Sequence, residues 1–167
     1  AGAGSGKTRT LVDALVHLLG ERAEHFRAQG QQVVAITYTN VAANEIIARI
    51  NGDPLVRVST IHDFLWSVIS PFQEELRAAI VAENEARPVA KQVADLDLDG
   101  IAIEYWQYSR KWHGGKIHHD DVISLSARLF KTYPKLARLV VDRFPIVFVD
   151  EYQDTNRPQN EIVLMLA

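Results

Sequence analysis

Several features that define other protein classes are missing from this chain of 167 residues. It has no cysteine, which excludes a disulfide framework and is compatible with a reducing cytosol. Its apolar runs are far shorter than the roughly 18 to 20 residues that a membrane helix requires, and no signal peptide is recognisable. A basic excess is missing too, because the net charge is −3. We therefore expect a cytoplasmic protein without a membrane partner, in which any binding of nucleic acid rests on particular residues.

The remaining composition predicts one folded α/β domain, with 47% hydrophobic and 23% charged residues. Apolar residues at helical spacing predict a first helix over Lys7–Ala28, ended by Gly30. Further expected elements are a strand at Val33–Ile36, a helix at 41–50, a strand at Leu55–Val58, a helix capped by Ser59 or Thr60 that runs to Ile69, helices at 120–130 and 134–141, and a strand at Ile146–Val149. This alternation predicts a parallel sheet with helices on its faces.

The last strand leads directly into acidic residues. Four apolar residues, Ile146–Val149, are typical of a strand covered on both faces, and Asp150 and Glu151 follow at once. Ligands of such sheets bind at the carboxyl ends of the strands, so these carboxylates lie where chemistry is usually done. The pattern alone leaves a solvated acidic loop as an equal alternative.

The amino end of the chain favours the chemical interpretation. It reads AGAGSGKT, which fits the phosphate-loop pattern G-x-x-x-x-G-K-[ST] with alanine at the first position. Small residues let backbone N–H groups face phosphate oxygens, Lys7 supplies a charge for the β and γ phosphates, and the Thr8 hydroxyl is suited to Mg²⁺. The nucleotide-binding residues that this loop predicts are Ala1, Gly2, Ala3, Gly4, Ser5, Gly6, Lys7 and Thr8. Together with Asp150 and Glu151, the loop predicts a site for ATP and Mg²⁺.

Four segments carry a resemblance to a known family. In order they are AGAGSGKTRTL, AITYTNVAANEIIARI, VSTIHDFLW and VFVDEYQDTN. They resemble the successive motifs of the UvrD/Rep/PcrA group of superfamily 1 helicases, and the last segment is the most specific of the four. The resemblance implies a RecA-like phosphate-loop NTPase fold with a mostly helical insertion. The expected division is 1–69 for the first part of the ATP-binding domain, 70–118 for the insertion and 119–167 for the return with the Walker B strand.

The resemblance also implies roles for the nucleotide-binding residues. Asp150 is expected to hold Mg²⁺ with Thr8, Glu151 to activate the attacking water, and Lys7 to bind the phosphates. Gln153 is expected to sense the γ-phosphate, and Arg9 to lie near the adenine and ribose. The alternatives are a capping or surface carboxylate for either acid, a polar turn residue for Gln153, and an exposed surface residue for Arg9.

A second set of residues is expected to contact single-stranded DNA. Single strands are bound by stacking on aromatic rings and by polar backbone contacts, which does not require a large positive charge. Tyr38 stands where the family usually has a base-stacking Phe, and a core tyrosine is its alternative. Polar contacts are expected from Thr37, Asn40, Thr60 and His62. The alternative for His62 is that it caps or packs at the start of its helix. The aromatic and basic run from Tyr108 to Lys116 is interpreted as a solvated loop with one buried Trp, although contact with duplex DNA is open.

The implied function is the N-terminal ATP-binding part of a DNA helicase or translocase that moves 3′ to 5′ and acts on single strands and on junctions with duplex DNA. Alternatives are the motor of a helicase and nuclease complex in recombination or anti-phage defence, a non-motor nucleotide sensor and, ranked lowest, a kinase. Because the family places an adenine-reading Gln upstream and arginine fingers downstream, the chain is expected to be an incomplete domain. By itself it is predicted neither to unwind DNA nor to turn over ATP appreciably.

Overall fold

A computed structural model describes residues 7–106, 108–154 and 157–166 of the chain, with the backbone alone for Lys7 and Asp154. The helices and strands, in chain order, are α1 (Lys7–Gln29), β1 (Val33–Thr37), α2 (Asn40–Arg49), β2 (Val56–Thr60), α3 (Ile61–Ile69), α4 (Gln73–Glu85), β3 (Glu104–Tyr105), β4 (Lys116–Ile117), α5 (His119–Thr132), α6 (Pro134–Arg143), β5 (Ile146–Val149) and α7 (Arg157–Met165). Single 3₁₀ turns lie at Val89–Lys91, Trp112–Gly114 and Tyr152–Asp154. The chain forms two compact units, Ala1–Phe64 with Ala137–Ala167, and Leu65–Leu136.

The first unit contains a parallel sheet in the order β2-β1-β5. All five residues of β1 are buried, as its continuous apolar sequence predicts for a central strand. The prediction that β5 is covered on both faces is wrong for the described part of the chain, because each of its four residues is only half-buried. The physical reason is position: β5 pairs with β1 alone among the described strands and so lies at the edge of the sheet.

One face of this sheet packs against α1 and α2. Register places Val58 of β2, Ala35 of β1 and Phe148 of β5 in one row across the sheet. Against this face pack Leu15 and Phe26 of α1, both without exposed surface, in a cluster that also contains Ile46 of α2. Burying each side chain of this size stabilises the fold by about 1.5 to 3 kcal/mol, so α1 is fixed on the sheet along most of its length.

Local chemistry fixes the ends of these elements: the end of α1 is predicted from the sequence, and the cap of α2 is not. The helix α1 ends at Gln29, and Gly30 follows with φ of +63°, a backbone conformation that glycine adopts without steric cost. The side chain of Thr39 accepts a hydrogen bond from Ala42 N at 3.2 Å and caps α2. Phe144 comes directly after α6. Its ring meets the Phe64 ring edge-on, with 5.3 Å between the ring centroids.

The second unit is built on two helices and a short strand pair. The helices α4 and α5 pack together, with Leu76, Ile80, Leu125 and Leu129 almost fully buried. The strands β3 and β4 pair in parallel over two residues each. The segment 70–118, predicted as a mostly helical insertion, thus contains α4, two 3₁₀ turns and this strand pair, and the compact unit extends beyond it on both sides. None of the helices described here is both long and apolar enough to span a membrane.

Candidate nucleotide and nucleic-acid site

The acidic residues after β5 are held at the carboxyl edge of the sheet. Asp150 N donates a hydrogen bond to Ile36 O at 2.8 Å, which continues the pairing with β1 one residue beyond β5. Asp150 is 7% exposed. Its backbone is therefore fixed by the central strand, and a carboxylate is delivered at the place where the sequence predicts a reaction centre.

Glu151 has a special backbone conformation. Its φ is +52°, in the left-handed region that costs a residue with a side chain about 1 to 2 kcal/mol. The 3₁₀ turn Tyr152–Asp154 follows, and Gln153 Nε2 donates a hydrogen bond to Glu151 Oε2. Such strained positions persist where the surrounding structure holds them, and they cluster at functional sites. The two residues predicted to act as base and γ-phosphate sensor are thus in direct contact.

Two residues that the sequence reasoning missed hold this acidic turn. The Tyr152 hydroxyl donates a hydrogen bond to Asn160 Oδ1 on α7. An aromatic residue and an amide eight positions apart give no recognisable motif in the sequence. The bond ties the turn that contains Gln153 to the following helix.

The first turns of α1 lie beside the acidic turn. An open cleft of about 460 Å³ is lined by Thr10, Leu11 and Ala14 on one side and by residues 148–153 on the other. Thr8, in the first turn of α1, is 7% exposed. The predicted phosphate-binding residues Ala1, Gly2, Ala3, Gly4, Ser5 and Gly6, and the side chain of Lys7, lie outside the described residues. The structure therefore brings the helix that follows the phosphate-loop sequence next to the predicted catalytic carboxylates.

The predicted adenine contact, Arg9, projects to solvent in this structure. Its side chain is 77% exposed, and its Nε lies 3.9 Å from Asp13 Oδ2 one turn further along α1. An exposed pair of this kind contributes little to stability. The role of Arg9 at the base stays a prediction.

Polar residues gather where β1 ends. Thr37 is fully buried, and its hydroxyl donates to Thr39 O at 3.0 Å, so its side chain shapes the turn itself. Tyr38 is half-buried, and Asn40 is exposed at the first position of α2. Tyr38 and Asn40 therefore have surface available for a ligand, whereas Thr37 acts by holding the turn in which they lie.

Polar residues also gather where the neighbouring strand, β2, ends. Register places Thr60 of β2 beside Thr37 of β1. The Thr60 hydroxyl accepts from Asp63 N at 3.2 Å and donates to Asp63 Oδ2 at 2.8 Å, so the predicted cap of α3 is confirmed. His62 is half-buried in the first turn of that helix. The sequence reasoning did not single out Asp63, although an acid three residues after a threonine is a capping signal.

We expect the Thr60→Ala variant to lose about 1 kcal/mol of unfolding free energy, because it removes both hydrogen bonds between Thr60 and Asp63. The measurement is the urea midpoint of the full-length protein, with Thr60→Ser as the matched control that keeps a hydroxyl. Equal loss in both variants would show that the hydroxyl is not the stabilising group.

One cation of β2 is affected by its surroundings. Burial lowers the pKa of Arg57, and the nearby carboxylate of Asp63 partly offsets that effect. The guanidinium carbon lies 6.0 Å from the centroid of the Phe64 ring. An arginine remains protonated in proteins, so Arg57 keeps a positive charge on the strand that leads to Thr60.

The donor set near the acidic turn fits Mg²⁺. This ion takes oxygen ligands, keeps several waters and is usually bound through one or two carboxylates together with substrate phosphates. The predicted ligands Asp150 and Thr8 have a carboxylate and a hydroxyl of this kind, and both residues are almost fully buried. Within the described ranges, no group of three or more His, Asp or Glu side chains is placed to hold a metal ion without such phosphates.

A parallel sheet, a helix that follows a glycine-rich phosphate-loop sequence, and an Asp-Glu pair at the end of a strand define the chain as a nucleotide-binding α/β domain. The family model of the UvrD/REP helicase N-terminal domain matches residues 1–99 and 73–167. The chain therefore belongs to the UvrD/REP helicase N-terminal domain family, as its motifs predict.

Curated relatives agree with this assignment. The chain is 27% identical over 214 residues to the ATP-dependent DNA helicase PcrA of Staphylococcus aureus, covering all of this chain and 29% of that protein. It is 28% identical over 221 residues to PcrA of Staphylococcus epidermidis, and this alignment covers 100% of this chain and 29% of that protein. It is 23% identical over 254 residues to the Gabija protein GajB of Bacillus cereus, and this alignment covers 100% of this chain and 37% of that protein. The chain thus spans about a third of the length of these relatives, and the alignments exceed its 167 residues because the relatives have additional residues between matched positions.

Proposed function

We propose that the chain is the ATP-binding part of a motor that hydrolyses ATP to move along single-stranded DNA, 3′ to 5′, and to separate duplex strands at junctions. The observation that supports this most is the contact of Glu151 with Gln153 in a turn beside α1, in a chain of the UvrD/REP family. A motor needs a general base and a group that senses the γ-phosphate, and this turn supplies candidates for both. We place the full-length protein in the cytoplasm, where its proposed DNA substrate would be available.

We propose the following division of work at the nucleotide. Asp150 and Thr8 would hold Mg²⁺, which when bound would neutralise charge that develops on the γ-phosphoryl group of ATP. Lys7 would contact the phosphates. Glu151 positions the attacking water and takes its proton. Gln153 donates a hydrogen bond to the Glu151 carboxylate and therefore responds to changes at that carboxylate. Because Gln153 lies in the turn that Tyr152 ties to α7, a change at the γ-phosphate has a route into the surrounding fold.

The DNA would lie over the ends of β1 and β2. Tyr38 provides a ring for base stacking, and Asn40, Thr60 and His62 provide polar groups for the backbone or bases. Thr37 holds the turn through the hydrogen bond from its hydroxyl to Thr39 O.

We expect Tyr38→Ala to weaken binding of single-stranded DNA by about fivefold or more, because it removes a stacking platform. The Tyr38→Phe variant keeps the ring and is expected to bind like the parent. Fluorescence anisotropy with a labelled oligothymidine measures both. If Tyr38→Phe loses as much affinity as Tyr38→Ala, the hydroxyl is important and stacking is not the mechanism.

The central test is the ATPase rate of the full-length protein with and without single-stranded DNA. Stimulation by DNA supports a motor. A rate that DNA does not change would support the non-motor nucleotide sensor instead.

The second candidate function is the motor part of a complex that also contains a nuclease, in recombination or anti-phage defence. The similarity to a Gabija protein is the observation that favours it. Purifying the full-length protein with its neighbouring gene products, and assaying for DNA cleavage that depends on ATP, separates it from a free-standing repair helicase. A helicase that purifies alone and unwinds DNA without cleavage would exclude this candidate.

A further inference from the structure

The loop that connects β3 and β4 in the second unit presents aromatic rings to solvent. Trp106 is 41% exposed and Tyr108 is 79% exposed. Their ring centroids lie 5.6 Å apart in an edge-on arrangement, and Lys116 Nζ lies 4.4 Å from the centroid of the Trp106 ring. The predicted nucleotide and DNA residues all lie outside this unit. We refer to Trp106, Tyr108, Lys111 and Lys116 as the aromatic-basic patch.

The loop is held by a buried anchor. Trp112 is 2% exposed. The guanidinium carbon of Arg87 lies 3.9 Å from the centroid of the Trp112 ring, and that of Arg110 lies 5.4 Å from it. Arg110 Nε donates to Asp121 Oδ2 at 2.8 Å, and this hydrogen bond raises the pKa of Arg110. Asp121 is 1% exposed. Trp112 and Arg110 are therefore structural, and the charge of Arg110 is already paired.

Backbone contacts fix the two ends of the loop. Trp106 N donates to Ile117 O at 2.8 Å, and Lys111 and Lys116 exchange backbone hydrogen bonds of 2.9 and 3.0 Å. Gly115 has φ of +68°, and a Cβ atom there would lie 2.2 Å from Ala102 O, so only glycine fits. The exposed rings are thus presented by a pre-organised loop, which reduces the entropy that a ligand must overcome on binding.

The charge of the loop favours an anionic ligand. Residues 106–116 contain no acidic residue. Arg110 is paired with Asp121, so the lysine and arginine charges that remain in this segment are those of Lys111, which is exposed, and Lys116. Glu104, two residues before Trp106, pairs in register with Lys116 and offsets part of this charge. The ligand must therefore gain from the aromatic rings as well as from the lysines.

We propose that the aromatic-basic patch binds single-stranded DNA, with bases stacked on Tyr108 and Trp106 and phosphates near Lys111 and Lys116. Stacking on aromatic rings combined with cations along the backbone is how single strands are held without sequence preference. Duplex DNA is disfavoured, because its bases already stack on one another and offer no open face to a ring. The inference deepens the proposed function by naming a second surface for the same nucleic acid, although the binding itself does not depend on motor activity.

The test uses the full-length protein with the double variant Trp106→Ala and Tyr108→Ala. Anisotropy of a labelled oligothymidine of about 16 nucleotides, without ATP, is expected to show binding weaker by about fivefold or more. Tyr133→Ala is the matched control, because Tyr133 is an aromatic residue of the same unit that is 40% exposed and lies outside the loop. Circular dichroism and the thermal midpoint establish that each variant is folded.

A second variant protects the test against misfolding of the first. Trp106→Phe with Tyr108→Phe keeps two rings and is expected to bind as the parent does, while Lys111→Ala is expected to weaken the dependence of affinity on salt. Unchanged binding by the folded alanine double variant, or a loss seen with duplex but not with single-stranded DNA, would overturn the proposal. If the parent shows no ATPase stimulation by DNA but the alanine variant still loses binding, the motor function fails and the patch stands.

Discussion

The Glu151→Gln variant of the full-length protein is expected to lose about 100-fold or more in the rate of DNA-stimulated ATP hydrolysis and to bind ATP as before. A glutamine has nearly the same shape as glutamate and can still bond to Gln153, but its amide cannot take a proton from water. The left-handed backbone at Glu151 is held by the surrounding turn, so the variant should keep the geometry of the site. Steady-state kcat and equilibrium binding of a fluorescent ATP analogue measure the two properties separately.

The matched control for this variant is Glu161→Gln on α7. Glu161 makes its ion pair with Arg157, whose side chain is 88% exposed, and it does not line the cleft beside α1. Its kcat should equal that of the parent. A Glu151→Gln protein that hydrolyses ATP at the parental rate would remove Glu151 from the role of general base.

The Asp150→Asn variant is expected to fail in a different way. Replacing a charged metal ligand by a neutral amide should lower the affinity for Mg²⁺ in the presence of ATP by about 10- to 100-fold or more. Hydrolysis should fall with it, and excess Mg²⁺ should restore part of the rate. Glu151→Gln should not be rescued in this way, because its defect is proton transfer.

Titration of Mg²⁺ against a constant concentration of a fluorescent ATP analogue measures this difference. Asp142→Asn is the control, because Asp142 is exposed on α6 and its contact with Gln31 uses the main-chain carbonyl, which the substitution leaves intact. Identical Mg²⁺ titrations for parent and Asp150→Asn would exclude Asp150 as a metal ligand.

The parts of the fold that the sequence predicted are those set by local chemistry. The strand β1 follows from four consecutive apolar residues, the end of α1 from Gly30, and the cap of α3 from Thr60. Each of these signals operates within a few residues, so it is visible in the sequence. Six elements, α1, β1, α2, β2, α5 and α6, extend one or two residues beyond a predicted limit, because backbone pairing and helical bonding continue into polar residues such as Thr37. The helix α2 and the strand β2 are each one residue shorter than predicted at their other end.

The parts that the sequence did not predict depend on how its elements and turns are placed in the fold. The half-buried state of β5 follows from its place in the order β2-β1-β5, which apolar content alone does not determine. The left-handed conformation of Glu151 is not expected for glutamate. The bond from Tyr152 to Asn160 joins the acidic turn to α7 and corresponds to no sequence motif. The residue types of the candidate site were therefore readable from the sequence, while the groups that hold them in place were not.

The pairing of Thr37 with Thr60 has an electrostatic consequence. Each threonine ends a strand that is followed within a few residues by a helix, so the amino ends of α2 and α3 lie along the same edge of the sheet. Each helix end has a partial positive charge of roughly half an elementary charge from its aligned peptide dipoles. These two helix ends therefore contribute positive potential at an edge that also carries the carboxylates of Asp63 and Asp150. Because the peptide dipoles do not titrate, their part of the potential at this edge should persist over a wide range of pH.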